Sequence, residues 1–411
     1  MAELLTQNLL HHTGFNKEEL FFIKQHLQDD VSQLILKAGQ FKTIDAKKLA
    51  VQILSRQKGS KKLPEWYANE KLIFPPALSV EQSSSEATAK YKGSIVSGDK
   101  LIDITGGMGV DCYYMSRNFQ EAFYFEQQQE VASTAKFNFK ALGANKIHVY
   151  HSDSLVALEN FQASADWIYA DPARRDLNKD KVVRLADCTP DVVSNIDLLL
   201  KIAPNVLLKT SPLLDIDLAV KELKNVKEIH IIGYEQECKE LLFHIKRDYE
   251  GDIGLKIRIL NRSGEVTQSL DFNREMERSS LIEFSYPLSY LYEPHAAVLK
   301  SGAFKVIGSQ FGLKKLAVSS HLYTSGTLVD NFPGRTFQVV GICKPDIQEI
   351  QKFIGESKAN LTLRNFPAKI HDLRKKWRLK EGGDFYLFAT TLQDHKKTIV
   401  VTKKLSNNEN P

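Results

Sequence analysis

Short apolar runs alternate with stretches of helical periodicity between residues 99 and about 262, and this alternation constrains the fold more than any other feature of the chain. Short apolar runs bounded by polar residues are typical of buried strands, and apolar residues three and four apart are typical of helices. Strands that alternate with helices indicate a mostly parallel sheet covered on both faces. The predicted strands are residues 100–105, 122–126, 146–151, 166–170, 205–210, 228–234 and 241–245, with 255–260 as a further candidate.

Helices are expected between these strands, including residues 127–142 and 190–202. The second of these should begin with Thr189 as its N-cap and Pro190 at its first position, because proline lacks the N–H that a helix start leaves unpaired. The sequence therefore predicts an α/β fold for the central part of the chain.

The regions on either side of this alternation have different patterns. Residues 1–75 are expected to form a helical N-terminal domain, because Leu20, Ile23 and Leu27 recur at helical spacing. An α/β domain is expected over residues 76–275, and the polar segment 263–280 is expected to be a turn or linker. Two small C-terminal α+β domains are expected, over 280–330 and over 333–405. The first should be mainly helical before a strand at 321–324, and the second should have the order β-α-β-α-β-β.

Composition excludes several classes of protein. The 411 residues predict two to four domains, and 43% apolar with 26% charged residues is ordinary globular composition. The net charge of +5 does not require a nucleic-acid partner. The four cysteines lie far apart and outside any CxxC motif, so we expect no metal site and no disulfide framework, and isolated thiols favour a cytoplasmic location. The N-terminus lacks the pattern of a signal peptide, and no apolar run is long enough to span a membrane.

A glycine-rich turn follows the first predicted strand, in the sequence LIDITGGMGVD (residues 101–111). A dinucleotide-binding turn requires G-x-G-x-x-G, and Cys112 stands where the third glycine belongs. Asp103 precedes the turn, and a carboxylate is a poor neighbour for a pyrophosphate but a good one for a cation. Asp103 and Cys112 disfavour a nicotinamide-dependent oxidoreductase, and the Asp103 carboxylate favours S-adenosylmethionine, which carries an ammonium and a sulfonium.

Three further acids follow the next three strands in order. Glu126 ends the second strand, where a carboxylate can accept both hydroxyls of a ribose. Asp153 follows the third strand, where it can read an adenine amino group, and its alternative role is the N-cap of a helix. Asp171 ends the fourth strand. Ligands bind at the carboxyl edge of such sheets, so four acids at this edge predict one site.

These motifs resemble those of class I S-adenosylmethionine-dependent methyltransferases over roughly residues 80–250. Nearly the whole chain resembles a bacterial methyltransferase group with a helical N-terminal region and C-terminal ferredoxin-like and THUMP-like domains. The segments that carry this narrower resemblance are EQSSSEATAKYKG, DPARR, YLYEPHAAVLKSGAF and LRNFPAKIHDLRKKW.

The resemblance implies a Rossmann-like sheet, S-adenosylmethionine as cofactor and, through the THUMP-like domain, an RNA substrate. It also implies the residues that bind the cofactor. They are Asp103, Thr105, Gly106, Gly107, Gly109, Val110, Asp111, Glu126, Gln127, Asp153, Ser154, Asp171 and Pro172.

Asp171 and Arg174 are the candidate catalytic residues, in the segment Asp-Pro-Ala-Arg. This segment departs from the Asn/Asp-Pro-Pro-Tyr pattern of amino-group methyltransferases, because no aromatic residue follows to stack on a base. Arg174 and Arg175 could instead pair with phosphate or stack on a base, or form a salt bridge to a nearby helix. The departure also leaves open a non-catalytic RNA-binding protein that retains the fold.

The chain lacks the cysteine that pyrimidine C5 methylation usually requires as a nucleophile. The region after the fifth strand reads Lys209-Thr210-Ser211-Pro212, and Cys188 is expected to serve packing. We therefore expect direct transfer to a nitrogen or an oxygen. A protein or a small molecule as the acceptor remains an alternative to RNA.

Residues 352–380 carry nine Lys/Arg against two Asp/Glu, a local charge of +7. Lysine and arginine clustered along one segment are typical of phosphate contacts. The alternative is a solvated helix face with Trp377 in the core. The candidate RNA-binding residues are Arg364, Lys369, Arg374, Lys375, Lys376 and Arg378.

Overall fold

The computed structural model describes residues 15–41, 43–161, 163–174, 185–355 and 357–405. The chain divides into two compact units. The first comprises Met1–Lys227, Leu242–Gly251 and Leu260–Glu265. The second comprises Glu228–Leu241, Asp252–Ile259 and Val266–Pro411.

The N-terminal part of the first unit is helical, as predicted. Asn16 and Glu19 form a capping box that satisfies the first backbone N–H groups of helix α1. The apolar faces of the helices bury Phe22, Leu34 and Leu49 in a common core. The helices are α1 (Lys17–Gln25), α2 (Val31–Leu36), α3 (Ala46–Gly59), α4 (Pro64–Ala68), α5 (Ala77–Gln82) and α6 (Glu86–Ile95).

Five parallel strands form the part of the main sheet that positions the site. They are β1 (Lys100–Asp103), β2 (Glu121–Glu126), β3 (Ile147–His151), β4 (Trp167–Ala170) and β7 (Asn205–Thr210). Their spatial order is β7-β4-β1-β2-β3, with every neighbouring pair parallel. The helices that follow these strands are α7 (Val110–Ser116), α8 (Gln129–Ala141), α9 (Ser154–Glu159), α10 (Ile196–Ile202) and α11 (Ile216–Glu222). Because the strands are parallel, their carboxyl ends share one edge.

Two short strands, β5 (Ala173–Arg174) and β6 (Cys188–Thr189), form a separate antiparallel pair. The predicted helix over 190–202 is wrong at its start, because α10 begins only at Ile196. Asp191 accepts a hydrogen bond from the Ser194 N–H, and its carbonyl accepts one from the Asn195 side chain. These local hydrogen bonds form a turn over residues where the first turn of the predicted helix would lie, so the helix starts later.

The main sheet continues through β8 (Val226–Tyr234), β9 (Glu237–Lys246), β10 (Gly254–Leu260) and β11 (Val266–Phe272). Its order over the described residues is β11-β10-β8-β9-β7-β4-β1-β2-β3. Strand β11 and helix α12 (Arg274–Ser279) contradict the predicted turn or linker over 263–280. Only Leu270 and Phe272 of β11 are buried, so polar residues between and before them conceal the strand pattern.

A seven-stranded sheet in the described part of the second unit has the order β13-β14-β12-β15-β18-β17-β16. Its first segment contains β12 (Tyr290–Pro294), α13 (Ala296–Ser301), α14 (Val306–Gln310), β13 (Lys314–Lys315) and β14 (Tyr323–Ser325). Its second segment has the predicted order: β15 (Gly334–Cys343), α15 (Ile347–Ile354), β16 (Asn360–Arg364), α16 (Ile370–Trp377), β17 (Phe385–Thr391) and β18 (Lys397–Lys404). The sequence prediction missed β12, because a central strand buried on both faces lacks alternation.

No helix among the described residues is both long and apolar enough to cross a membrane.

Candidate active site

The glycine turn lies between the end of β1 and the start of α7, at the carboxyl edge of the sheet. Gly107 and Gly109 adopt left-handed backbone, with φ of 56° and 85°. A Cβ atom on Gly109 would lie 2.6 Å from the Phe139 ring, and one on Gly106 would lie 2.3 Å from the Tyr124 ring. Glycine is therefore required here both by conformation and by close packing.

Asp103 ends β1 and is almost completely buried, with 1% of its surface exposed. One carboxyl oxygen, Oδ1, accepts hydrogen bonds from the N–H of Thr105 at 3.0 Å and from its hydroxyl at 3.4 Å. The other oxygen, Oδ2, is buried with no hydrogen-bond partner among the described residues. Burial, reinforced by the nearby Asp111 and Asp171 carboxylates, raises the pKa of Asp103 to about 8. Asp103 is thus a buried carboxyl group that has no cationic partner among the described residues.

Thr105 connects the glycine turn to the end of β4. Its hydroxyl oxygen accepts a hydrogen bond from the Asp171 N–H at 2.7 Å. The Ile104 N–H donates to the Tyr169 carbonyl at 3.0 Å. These bonds fix Asp103 and the Asp171 backbone relative to each other.

Glu126 lies at the end of β2 and faces the turn. Its Oε2 accepts a hydrogen bond from the Gly107 N–H at 2.9 Å, and its Oε1 accepts one from the Gln128 N–H at 2.7 Å. The Gln127 side chain donates to Asp153 Oδ2 at 2.8 Å, so the ends of β2 and β3 are linked. The structure therefore brings Glu126, Gln127 and Asp153 together along the edge where the sequence predicted them.

Asp153 also has the capping role that was its alternative interpretation. Its Oδ1 accepts from the N–H groups of Leu155 at 3.0 Å and Val156 at 3.3 Å, at the start of α9. Ser154, the first residue of α9, is buried. An N-cap and a ligand contact can coexist, because Asp153 Oδ2, which accepts from Gln127, retains a further lone pair.

Asp111 lies in the first turn of α7, and its carboxylate contacts protein groups rather than open space. Lys92 Nζ lies 3.1 Å from its Oδ1, and the hydroxyls of Ser84 and Tyr169 donate to its Oδ2 at 2.7 and 2.6 Å. Burial alone would raise the pKa of Asp111, but the Lys92 and Lys209 ammoniums and the two hydroxyls hold it below its ordinary value. These contacts fix the start of α7, next to buried Val110.

Lys209 is a site residue that the sequence prediction missed. Its Nζ lies 2.5 Å from Asp171 Oδ2, and the side chains of Lys209 and Asp171 are 15% and 30% exposed. The signal in the sequence was a single lysine inside the apolar run NVLLKT. Pro172 follows Asp171 at a partly exposed position, and Arg174 lies opposite Cys188 in the β5–β6 pair. Arg175 lies outside the described residues.

The six predicted RNA-binding residues of the second unit fall into two groups. Arg364 donates to Glu293 Oε1 at 2.9 Å, and Glu293, which also pairs with Arg335, is buried. Arg374 donates to the carbonyls of Ala359 and Leu379, at 3.4 and 3.5 Å. These two arginines thus have structural partners. The other four residues are exposed: Lys369, Lys375, Lys376 and Arg378.

Trp377 is buried in the core of the second unit, as the alternative interpretation of the basic segment required. The helix α16 around it still presents exposed lysines, so a buried tryptophan and a basic surface occur together. Among the described residues, no group of three or more His, Cys, Asp or Glu side chains could hold a metal ion.

The fold matches a known structure over almost the whole length of the chain. A crystal structure of a Porphyromonas gingivalis W83 protein, assigned as a methyltransferase, superposes with a TM-score of 0.83 and 31% sequence identity. The match covers 95% of this chain and 100% of that one. The chain belongs to this methyltransferase family. Membership confirms the predicted fold class, a Rossmann-like methyltransferase sheet with a helical N-terminal region and small α+β domains.

Three family models match separate parts of this methyltransferase-family chain. They are conserved hypothetical protein 95 over residues 51–186, a ferredoxin-like domain over 290–333 and a THUMP domain-like family over 334–404. No curated protein matches the chain.

More distant structures share only part of the chain at low similarity. One of them, an M. jannaschii tRNA m1G37 methyltransferase, has 17% identity and a TM-score of 0.29, and the match covers 41% of this chain and 52% of that one. M. capricolum TrmK in complex with S-adenosylhomocysteine has 16% identity and a TM-score of 0.30, covering 40% and 70%.

The buried Asp103 carboxyl predicts a specific dependence of stability on pH. Its folded-state pKa of about 8 lies above the ordinary value of 3.8, so the stability it contributes is complete below about pH 4 and is lost as pH rises to about 8. Asp103→Asn should abolish this loss of stability, which is about 1.4 kcal/mol per pH unit at most. Denaturant unfolding of the cofactor-free protein between pH 5 and pH 8 measures it, with the exposed Asp197→Asn as control. Parallel pH curves for the wild type and Asp103→Asn would contradict the assignment.

Proposed function

We propose that the protein is a cytoplasmic methyltransferase that uses S-adenosylmethionine and acts on RNA. The observation that carries the cofactor assignment is the Asp103 Oδ2 atom, which is buried beside the glycine turn without a partner among the described residues. A buried carboxyl group is costly unless a cation or hydrogen-bond donors satisfy it. S-adenosylmethionine carries two positive charges and one carboxylate, so its net charge has the sign that Asp103 requires.

The other residues of the edge fit the remaining parts of this cofactor. Glu126 Oε1 and Oε2 each accept one backbone N–H and retain lone pairs for ribose hydroxyls. Asp153, with Ser154 and Gln127 beside it, is placed to read the adenine. The turn at Thr105, Gly106, Gly107 and Gly109 would hold the methionine part of the cofactor, which joins its ammonium group to the adenosine. The cofactor supplies an activated methyl group, and the protein contributes binding, orientation and exclusion of water.

Asp171, Pro172 and Arg174 form the acceptor end of the proposed site. Asp171 would accept a hydrogen bond from the group that receives the methyl, and Arg174 would contact the substrate. Cys112 is buried and burial raises its pKa well above the ordinary value, while Cys188 is also buried. A buried thiol that resists ionisation is a poor nucleophile. We therefore infer direct transfer to a nitrogen or an oxygen, without a covalent cysteine intermediate.

The proposal of an RNA substrate rests on the THUMP domain-like match and on the exposed basic side chains near α16. Lys369, Lys375, Lys376 and Arg378 can reach phosphates, because their side chains are exposed. Arg364 and Arg374 would support this surface by holding β16 and α16 in place.

Cofactor binding should release a proton from Asp103. At pH 7 most of this carboxyl is protonated in the free protein, since its pKa is about 8, and a bound cation favours the ionised form. Titration calorimetry of S-adenosylmethionine in two buffers of different ionisation enthalpy should therefore detect nearly one released proton. Asp103→Asn should abolish the release and weaken binding roughly tenfold to a hundredfold, the value of a charge-assisted hydrogen bond.

Two outcomes of this calorimetry would oppose the cofactor assignment. Wild-type protein that binds NAD(H) and not S-adenosylmethionine would indicate the oxidoreductase alternative. Unchanged S-adenosylmethionine affinity in Asp103→Asn would show that Asp103 does not face the cofactor.

RNA binding should depend steeply on salt if the exposed lysines contact phosphates. Changing Lys369, Lys375 and Lys376 together to Gln should lower affinity for structured RNA and reduce the slope of log K against log salt by roughly 2, at about 0.7 per single-strand phosphate. Anisotropy titrations across a salt series measure both quantities. The control is Lys136, Lys140 and Lys221 changed to Gln, which removes the same charge from exposed positions of the first unit. Equal affinities and slopes for the two triple variants would contradict RNA binding by these lysines and would favour the alternative interpretation, a solvated helix face.

A further inference from the structure

Three carboxylates and two ammoniums meet at the carboxyl edge of β1, β4 and β7. Asp111 pairs with Lys92 at 3.1 Å, and Asp171 pairs with Lys209 at 2.5 Å. Asp103 has no ion-pair partner among the residues that the structure describes. If all five groups are ionised, the cluster carries one net negative charge, and this charge belongs to Asp103.

The two lysines differ in what they can do for a ligand. The Lys92 side chain is completely buried, and it also donates to the Ser84 hydroxyl at 3.0 Å. Removing one partner of such a buried pair destabilises a protein strongly, so Lys92 has a structural role. Lys209 and Asp171 are partly exposed, and water can solvate the partner that remains. Lys209 is therefore the cation of the cluster whose charge can be removed while the fold is retained.

Lys209 influences more than its ion-pair partner. Its ammonium also lowers the pKa of Asp111, and the Asp171 carboxylate helps to raise that of Asp103. Inside a protein the effective dielectric constant is low, so each of these charges is felt across the cluster. A ligand charge held near Asp103 will be felt by Lys209 and Asp171 in the same way.

We propose that Lys209 is a specificity-determining residue that sets how strongly the site prefers S-adenosylmethionine over S-adenosylhomocysteine. The two ligands differ by one methyl group and by the positive charge of the sulfonium, which the product lacks. A site with excess negative charge prefers the charged ligand and discriminates against the product. Lys209 neutralises Asp171, and it thereby limits this preference to what Asp103 alone provides. The inference rests on the proposed function, because it requires that the cluster binds this cofactor.

Charge changes of opposite sign at one ion pair provide the test. Titration calorimetry would measure the affinities of S-adenosylmethionine and S-adenosylhomocysteine for each variant, and their ratio is the result. Lys209→Met should raise the ratio roughly tenfold to thirtyfold, the effect of one unit charge about 8 to 12 Å away at an effective dielectric constant of about 20. Asp171→Asn should lower the ratio by a similar factor. Lys209→Arg retains the charge and should leave the ratio near the wild-type value.

A matched control removes a lysine from another Lys–Asp pair. Lys224 lies 3.6 Å from Asp197, and both side chains are largely exposed. Lys224→Met should leave the ratio unchanged, because water and salt screen an exposed charge.

Several outcomes would overturn the inference. A ratio that stays constant or falls in Lys209→Met contradicts it. Affinities for both ligands that fall together, with a lower melting temperature, would show that Lys209 only stabilises the fold. Asp171→Asn, which preserves side-chain shape, decides the matter if Lys209→Met does not fold, since an unchanged ratio there also contradicts the inference. Wild-type protein that binds neither ligand would refute the proposed function, and the inference would fail with it.

Discussion

The Asp103 carboxyl lies at the end of β1, the middle one of the five parallel strands, where burial removes water and Thr105 is its hydrogen-bond donor among the described residues. Most of the surrounding structure follows from this arrangement. The left-handed glycines allow the chain to reverse direction close to the strand end, and Thr105 also fixes the Asp171 backbone. A protein that buries a carboxyl group in this way retains a cost in stability, which a cationic ligand would offset.

A second buried carboxylate in the same region has a lysine partner, which Asp103 lacks among the described residues, and the contrast is informative. Asp111 pairs with Lys92 and accepts hydrogen bonds from the Ser84 and Tyr169 hydroxyls. Lys92 and Ser84 belong to the segment EQSSSEATAKYKG. This segment carried part of the family resemblance, and its contacts with Asp111 explain what Ser84 and Lys92 do in the structure. Ser85, between them in the chain, caps α6 through the Thr88 N–H at 3.2 Å. The segment thus anchors the helix that begins at the glycine turn.

The sequence contained enough information to predict most strands of the main sheet and the acids at its carboxyl edge. The spacing of apolar residues in a strand, and the position of an acid directly after it, are both local patterns in the sequence. It could not predict the pair of Lys209 with Asp171, which depends on β7 lying beside β4 in the register that places Leu208 opposite Ala170. The net charge of residues 352–380 can be counted from the sequence, but the count does not show which of the charges are already paired. Arg364 is paired with buried Glu293. Strand β11 was missed because only two of its side chains enter the core. Each of these three features depends on tertiary contacts, which a local sequence pattern does not specify.

The most direct test of the account is transfer of an isotopically labelled methyl group from S-adenosylmethionine to RNA. Total RNA from a strain that lacks the protein would be incubated with the purified protein, and its nucleosides would be analysed by mass spectrometry. The account predicts label in a nucleoside that carries a methyl group on nitrogen or oxygen. Label on carbon 5 of a pyrimidine would contradict direct transfer. The absence of label from every nucleoside, with cofactor binding intact, would contradict an RNA methyltransferase.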